Sequence, residues 1–170
     1  MAERTITIHG NPLTLMGQEV TVGDKAPDFE VVDNDLQPVK FYSLPPKVYV
    51  LASVPSLDTP TCDLETRRFN QEAANLSSDI ALLTLSMDLP FAQKRWCGAA
   101  GVDRIKTLSD HRQASFGLAY GVLIKELRLL ARAVFVVDAA GLVQYAQLVR
   151  ELSQEPDYEA VLRAISTMVR

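Results

Sequence analysis

The sequence predicts an α/β protein: a central mixed β-sheet flanked by helices, with an N-terminal β-hairpin, in one domain spanning residues 1–170. Three observations point there. Short apolar, β-prone runs alternate with segments of helical periodicity, the pattern of a sheet with parallel neighbours and crossover helices. Paired runs joined by turn residues stand at both the beginning and the end of the chain. The 170 residues are 48% apolar and 22% charged, ordinary globular usage with enough length for one sizeable core.

Thr5–His9 and Leu13–Met16 flank Gly10-Asn11-Pro12 and read as the N-terminal hairpin. Phe29–Val32 is a short strand after Ala26-Pro27. Lys47–Val54 is almost wholly apolar, as a strand covered on both faces should be. A helix follows, with Thr59 as N-cap and Pro60 as first residue, where its missing N–H is no loss. Leu64, Phe69, Ala73 and Leu76 supply its apolar side, and Glu65, Arg67, Arg68 and Glu72 read as a solvated face with helical charge pairs. Ile80–Met87 is a second buried strand. Pro90 opens a short helix through Trp96 and Cys97, stopped near Gly98 and Gly101. Ile105–Leu108 reads as a strand and Gln113–Phe116 as a helical turn. Ala133–Asp138 and Leu142–Val149 form a hairpin over Ala140-Gly141. The last helix begins near Pro156, its buried stripe being Tyr158, Val161, Leu162, Ile165 and Val169. This order fits a thioredoxin-like mixed sheet.

Composition removes several classes of function. With 17 basic and 21 acidic residues the formal charge is −4, and no basic run exists, so neither nucleic acid nor a membrane surface is an expected partner. Met1–Gly10 holds no apolar signal core. The longest apolar run lies in Ala133–Val137, far short of the roughly 20 residues of a membrane span. A soluble protein of a reducing compartment, the cytoplasm, is the expectation. Two cysteines, Cys62 and Cys97, are too few for a disulfide scaffold or a four-thiolate zinc site, and there is no C-x-x-C. Inert buried thiols, one structural bridge and a redox pair remain open. His9 and His111 read as surface or capping residues.

Cys62 falls at the third helical position if Thr59 is the cap. A thiolate there faces free backbone N–H groups and the positive end of the helix dipole, and the thiolate is the nucleophilic form. The Thr59 hydroxyl can turn to the same spot, and Pro55 stiffens the loop between strand and helix. Asp63, next in sequence, opposes the anion unless it faces solvent. A cation from elsewhere is needed, and Arg132, at the entry to a buried strand, is the candidate.

Pro55, Thr59 and Cys62 match the P-x-x-x-T-x-x-C motif of peroxiredoxins. Ser56-Leu57-Asp58-Thr59-x-x-Cys62, with Arg68-Phe69-Asn70 beyond it, resembles the thiol peroxidase subfamily, the atypical 2-Cys peroxiredoxins. So do Leu89-Pro90-Phe91-Ala92-Gln93 ahead of Cys97-Gly98, Ala131-Arg132-Ala133, and Glu155-Pro156-Asp157-Tyr158-Glu159-Ala160. The likeness spans essentially the whole chain. Pro60-Thr61 stands where many relatives have a glycine and a small apolar residue. The resemblance implies a peroxidatic Cys62, a resolving Cys97, Thr59 and Arg132 as activators of thiolate and peroxide, and Pro55 as a shield of the pocket. It also implies reduction of hydrogen peroxide and organic hydroperoxides, recycling by thioredoxin or a similar dithiol, a homodimer, and neither metal nor cofactor. A dithiol carrier and a redox sensor with little turnover are the alternatives.

A disulfide needs Cα atoms within about 7 Å. Successive helices on a sheet do not usually bring a first turn that near the end of the next helix. The first turn of the Cys62 helix, the Cys97 helix, or both must therefore unwind for the two thiols to join. Closing a loop of this size contributes roughly 3–4 kcal/mol in the chain-entropy model, enough to offset some lost helix.

Overall fold

The computed structural model describes residues 3–73, 75–101 and 105–168. Strands β1 (Arg4–Ile8) and β2 (Asn11–Met16) form the N-terminal hairpin in antiparallel register, with Ile8 opposite Asn11. The turn between them places both His9 (φ 49°) and Gly10 (φ 81°) in the left-handed region, as a two-residue hairpin turn requires. His9 is thus a turn residue. A short hairpin of β3 (Glu30–Val32) and β4 (Pro38–Lys40) leads through a 3₁₀ turn at Phe41–Ser43 to β5 (Val48–Ser53). Helix α1 (Pro60–Ala73), β6 (Ile80–Ser86), α2 (Pro90–Ala100) and β7 (Lys106–Ser109) follow. Then come α3 (Ser115–Ala119), a minimal hairpin of β8 (Leu123–Ile124) and β9 (Leu129–Leu130), the pair β10 (Ala133–Val137) and β11 (Val143–Leu148), and α4 (Tyr158–Ser166).

The main sheet has the order β11-β10-β5-β6-β7-β3-β4. β5, β6 and β7 run parallel, while β10, β11, β3 and β4 join antiparallel to their neighbours. The period of two along β5 and β10 sorts side chains onto two faces. Tyr49, Leu51, Ala133, Phe135 and Val137 enter one apolar cluster; Val48, Val50, Ala52, Val134 and Val136 enter the other. The first face is covered by α3 and by the small sheet β1-β2-β8-β9, whose Ile6, Leu13, Leu15, Leu123 and Leu130 belong to the same cluster. The second is covered by Phe69 of α1 and by Val161 and Ile165 of α4. Asp157 caps α4 by accepting the Ala160 N–H at 3.1 Å. Of the apolar stripe expected there, Val169 lies outside the described residues.

Strands β4, β8 and β9 are absent from the sequence reading, each having only two or three residues and no measurable period. Leu64 departs from expectation outright: it is 55% exposed, and the buried face of α1 is Cys62, Glu65, Thr66 and Phe69.

Asp110 is buried beside α3 and accepts the N–H groups of Phe116 and Gly117 at 3.0 and 2.8 Å. Burial outweighs these bonds and pushes its carboxyl up, to about 6. An acid with a raised folded value stabilises most below its unfolded value, and that contribution is lost as pH rises through about 6. Asp110→Ala, which orphans two buried N–H groups, is expected to lower stability by about 2–4 kcal/mol. A thermal melt of the variant against wild type checks this.

Candidate active site

β10 runs antiparallel to β5, and this brings together two segments far apart in sequence. Ala133 pairs with Ser53, so the residue entering β10 lies beside the residues leaving β5. The Ser53 hydroxyl donates to the Ala131 carbonyl at 2.7 Å and fixes that edge. Arg132 therefore projects towards the loop 54–59 and the start of α1.

Thr59 is the cap of α1. Its Oγ1 accepts the Cys62 N–H at 3.3 Å, its carbonyl accepts the Asp63 N–H at 2.9 Å, and its hydroxyl donates to the Ser56 carbonyl at 3.0 Å. Cys62 is thereby held in the first helical turn, wholly buried against Val54, Leu57 and Trp96. Arg132 Nη1 donates to Cys62 Sγ at 3.2 Å. The same Nη1 donates to Glu65 Oε1 at 3.1 Å, and Nε and Nη2 both donate to the Leu152 carbonyl. Burial works against the Arg132 charge, but Cys62 and Glu65 outweigh it and raise the guanidinium above its ordinary value.

Glu65 is the residue that sequence reasoning misplaced. It is not on a solvated face: it is 0% exposed and forms a buried ion pair with Arg132. Burial drives its carboxyl up, to about 7, against the opposing pull of Arg132. Of the helical charge pairs expected on that face, Arg68 with Glu72 forms at 2.9 Å, while Arg67 pairs with Asp63 at 3.0 Å.

Asp88 is a second residue the sequence did not flag. Its carboxylate accepts from the Ser56 hydroxyl at 2.7 Å, the Leu57 N–H at 2.8 Å and the Ser86 hydroxyl at 2.8 Å. Gln93 Nε2, in turn, donates to Ser86 Oγ and the Leu108 carbonyl, each at 2.9 Å. The loop before Cys62 is thus tied to the ends of β6 and β7. A Ser-x-Asp leaving a buried strand was the available signal.

Pro55, Thr59 and Arg132 line one cavity of about 300 Å³, completed by Ile8, Leu127, Leu129 and Leu152. His9 stands on its wall as well; Cys62 does not line it and is linked to it through Arg132. Glu151 fastens the hairpin to this wall by accepting from Ser153, Gly10 and Thr7, donors that hold its carboxyl down to about 2.

Cys97 is elsewhere. It is half-buried near the end of α2, which Gly101 (φ 67°) terminates in the left-handed region, and its sulfur lies 3.5 Å from Thr107 Oγ1. Both cysteines are free thiols. Between them in the chain stands Trp96, whose indole N–H donates to Asp63 Oδ1 at 2.9 Å. Arg67 adds a bond from α1 to the Ala100 carbonyl at 3.2 Å. Phe91, by contrast, is exposed. Among the described residues no cluster of three or more His, Cys, Asp or Glu suited to a metal occurs, and no helix is long and apolar enough to cross a membrane.

A thioredoxin-like sheet carrying a capped, arginine-paired cysteine defines the class, and the chain belongs to the redoxin family, whose model matches residues 21–162. Among relatives, the thiol peroxidase of Bacillus subtilis is 54% identical over 170 residues, covering 100% of both chains. That of Halalkalibacterium halodurans is 58% identical over 160 residues, covering 94% of this chain and 96% of its own. Among solved structures, a peroxiredoxin-like protein from Aquifex aeolicus superposes with a TM-score of 0.91 at 42% identity, covering 98% of each chain.

Proposed function

We propose that this protein is a thiol-dependent peroxidase acting on hydrogen peroxide and organic hydroperoxides, with Cys62 as the attacking thiolate. The observation that carries this reading is the Arg132–Cys62 contact of 3.2 Å at the first turn of a helix, the same Arg132 lining a cavity with Thr59 and Pro55. The thiolate sulfur attacks the terminal peroxide oxygen; the S–O bond forms as the O–O bond breaks. Cys62 becomes a sulfenic acid and the leaving oxygen takes a proton as water or alcohol. Arg132 and Thr59 stabilise the charge developing on the oxygens. The Cys97 thiol then attacks the Cys62 sulfur, water leaves, and an intramolecular disulfide forms. Two electrons from an external dithiol, thioredoxin or a similar protein, restore both thiols.

The bridge needs the first turn of α1, the helix α2, or both to unwind. Trp96 is packed against the cluster that holds Cys62, and its bond to Asp63 must break if the first turn unwinds. Two cysteines, too few for a secreted disulfide scaffold, suit a reducing compartment such as the cytoplasm, and the family likeness supports a homodimer of single-domain chains.

The test is peroxide-dependent oxidation of a thioredoxin-coupled system, with non-reducing mass spectrometry of the product. Turnover with an intramolecular Cys62–Cys97 link is expected, accompanied by a change in Trp96 fluorescence. Cys97→Ser is expected to give one burst and then over-oxidation of Cys62. A link that is solely intermolecular overturns the two-thiol cycle, and disulfide formation without turnover makes the protein a sensor instead.

A further inference from the structure

Arg132 carries one positive charge and meets two groups that can each carry a negative one. Its Nη1 serves both Cys62 Sγ and Glu65 Oε1, while its other donors are turned to the Leu152 carbonyl. Cys62 and Glu65 are wholly buried and Arg132 is 2% exposed, so water screens little of this cluster. The remaining groups that act on Glu65 come from the C-terminal segment. Glu155 adds negative potential, and Tyr158 donates its hydroxyl to Glu155 rather than to Glu65. Neither brings a second positive charge. With both Cys62 and Glu65 ionised, the cluster holds two anions against one cation in a water-poor interior, an arrangement penalised by desolvation. Glu65 Oε2 is buried with no hydrogen-bond partner among the described residues, the worse circumstance for a charged oxygen and the milder one for a protonated one.

We infer that Glu65 is the proton-holding partner of Cys62: the thiol and the carboxyl share one proton beside Arg132, so that the reactive thiolate exists together with a neutral Glu65. The step is a proton transfer, Cys62–SH with Glu65–COO⁻ becoming Cys62–S⁻ with Glu65–COOH, and the cluster keeps its total charge. Once the sulfur is oxidised and uncharged, Glu65 is the anion left facing Arg132 and gives up its proton. That release matches the one proton the leaving alkoxide or hydroxide takes, so thiol plus hydroperoxide yields sulfenic acid plus alcohol or water. Glu65 acts through Arg132 and not on the peroxide; it is a positioning residue. The oxidised half of this cycle rests on the peroxidase reading, whereas the shared proton is testable without any peroxide.

Glu65→Gln keeps the shape and the acceptor for Arg132 but cannot take the proton. In a Cys97→Ser background, ultraviolet absorbance of the Cys62 thiolate is followed across the acid-to-neutral range. It is expected to rise in two steps when Glu65 is present and in a single step in the Glu65→Gln variant. At pH values between the two steps, the variant is expected to hold roughly twofold more thiolate, the proton no longer being divided between two sites. Infrared spectra of the reduced protein at neutral pH are expected to show a protonated carboxyl band that both Glu65→Gln and Cys62→Ser remove. A profile of the same shape with and without Glu65 overturns the inference, as does a reduced protein with no carboxyl band sensitive to either substitution. The infrared comparison through Cys62→Ser decides the matter even if Glu65→Gln fails to fold.

Discussion

Arg132→Met is expected to lower the rate of Cys62 oxidation by peroxide by about 10²–10³, the usual effect of removing one donor aimed at developing charge. It is also expected to destabilise the fold by about 3–5 kcal/mol near pH 8, because Glu65 loses its buried counter-charge. The sign of the pH dependence follows from burial. Without Arg132 the Glu65 carboxyl rises further, so it is neutral in acid, and the penalty shrinks as pH falls. Stopped-flow oxidation and denaturant melts at two pH values measure both effects. Adding Glu65→Gln to Arg132→Met should recover stability without recovering rate, a separation that a double-mutant cycle reads directly. Full peroxidase activity in Arg132→Met contradicts the role given to the guanidinium.

Cys62→Ser should abolish turnover, a loss on the order of 10⁴-fold or more, since serine at this place has neither the nucleophilicity nor the oxidation chemistry of sulfur. The fold should survive. Thr59 caps α1 through the Cys62 backbone N–H, which serine retains, and Arg132 keeps Glu65 and the Leu152 carbonyl. Peroxide should leave Trp96 fluorescence unchanged in this variant. Turnover equal to wild type sinks the assignment of Cys62.

Much of this site was legible in the sequence because its parts are local. Thr59, Pro60 and Cys62 lie within one turn, and capping chemistry alone gives their arrangement. Arg132 was legible because strand entry and the need for a cation coincide. Glu65 was misread because its burial is decided by a partner 67 residues away. Its spacing nonetheless held the clue: Cys62, Glu65, Thr66 and Phe69 lie at i, i+3, i+4 and i+7, so a helix that buries Cys62 buries Glu65 too. Leu64 misled in the opposite direction, its apolar side chain drawing the eye to the wrong face. The short strands β8 and β9 had no period to read, yet they supply Leu129 to the cavity wall.

The two halves of the site differ in what secures them. Cys62 hangs on the first turn of a helix, held there by the Thr59 cap in place of a full set of intrahelical bonds, and such a turn frays cheaply. Arg132 is set at the mouth of β10, a strand bonded on both sides to β5 and β11. Unwinding α1 leaves that ladder intact. In the proposed cycle the arginine is a standing template: when the thiol is regenerated, an unwound first turn has a fixed charge and a fixed carbonyl edge to rewind against. On that reading, recovery after each turnover is a local search over a few residues rather than a refolding of the site.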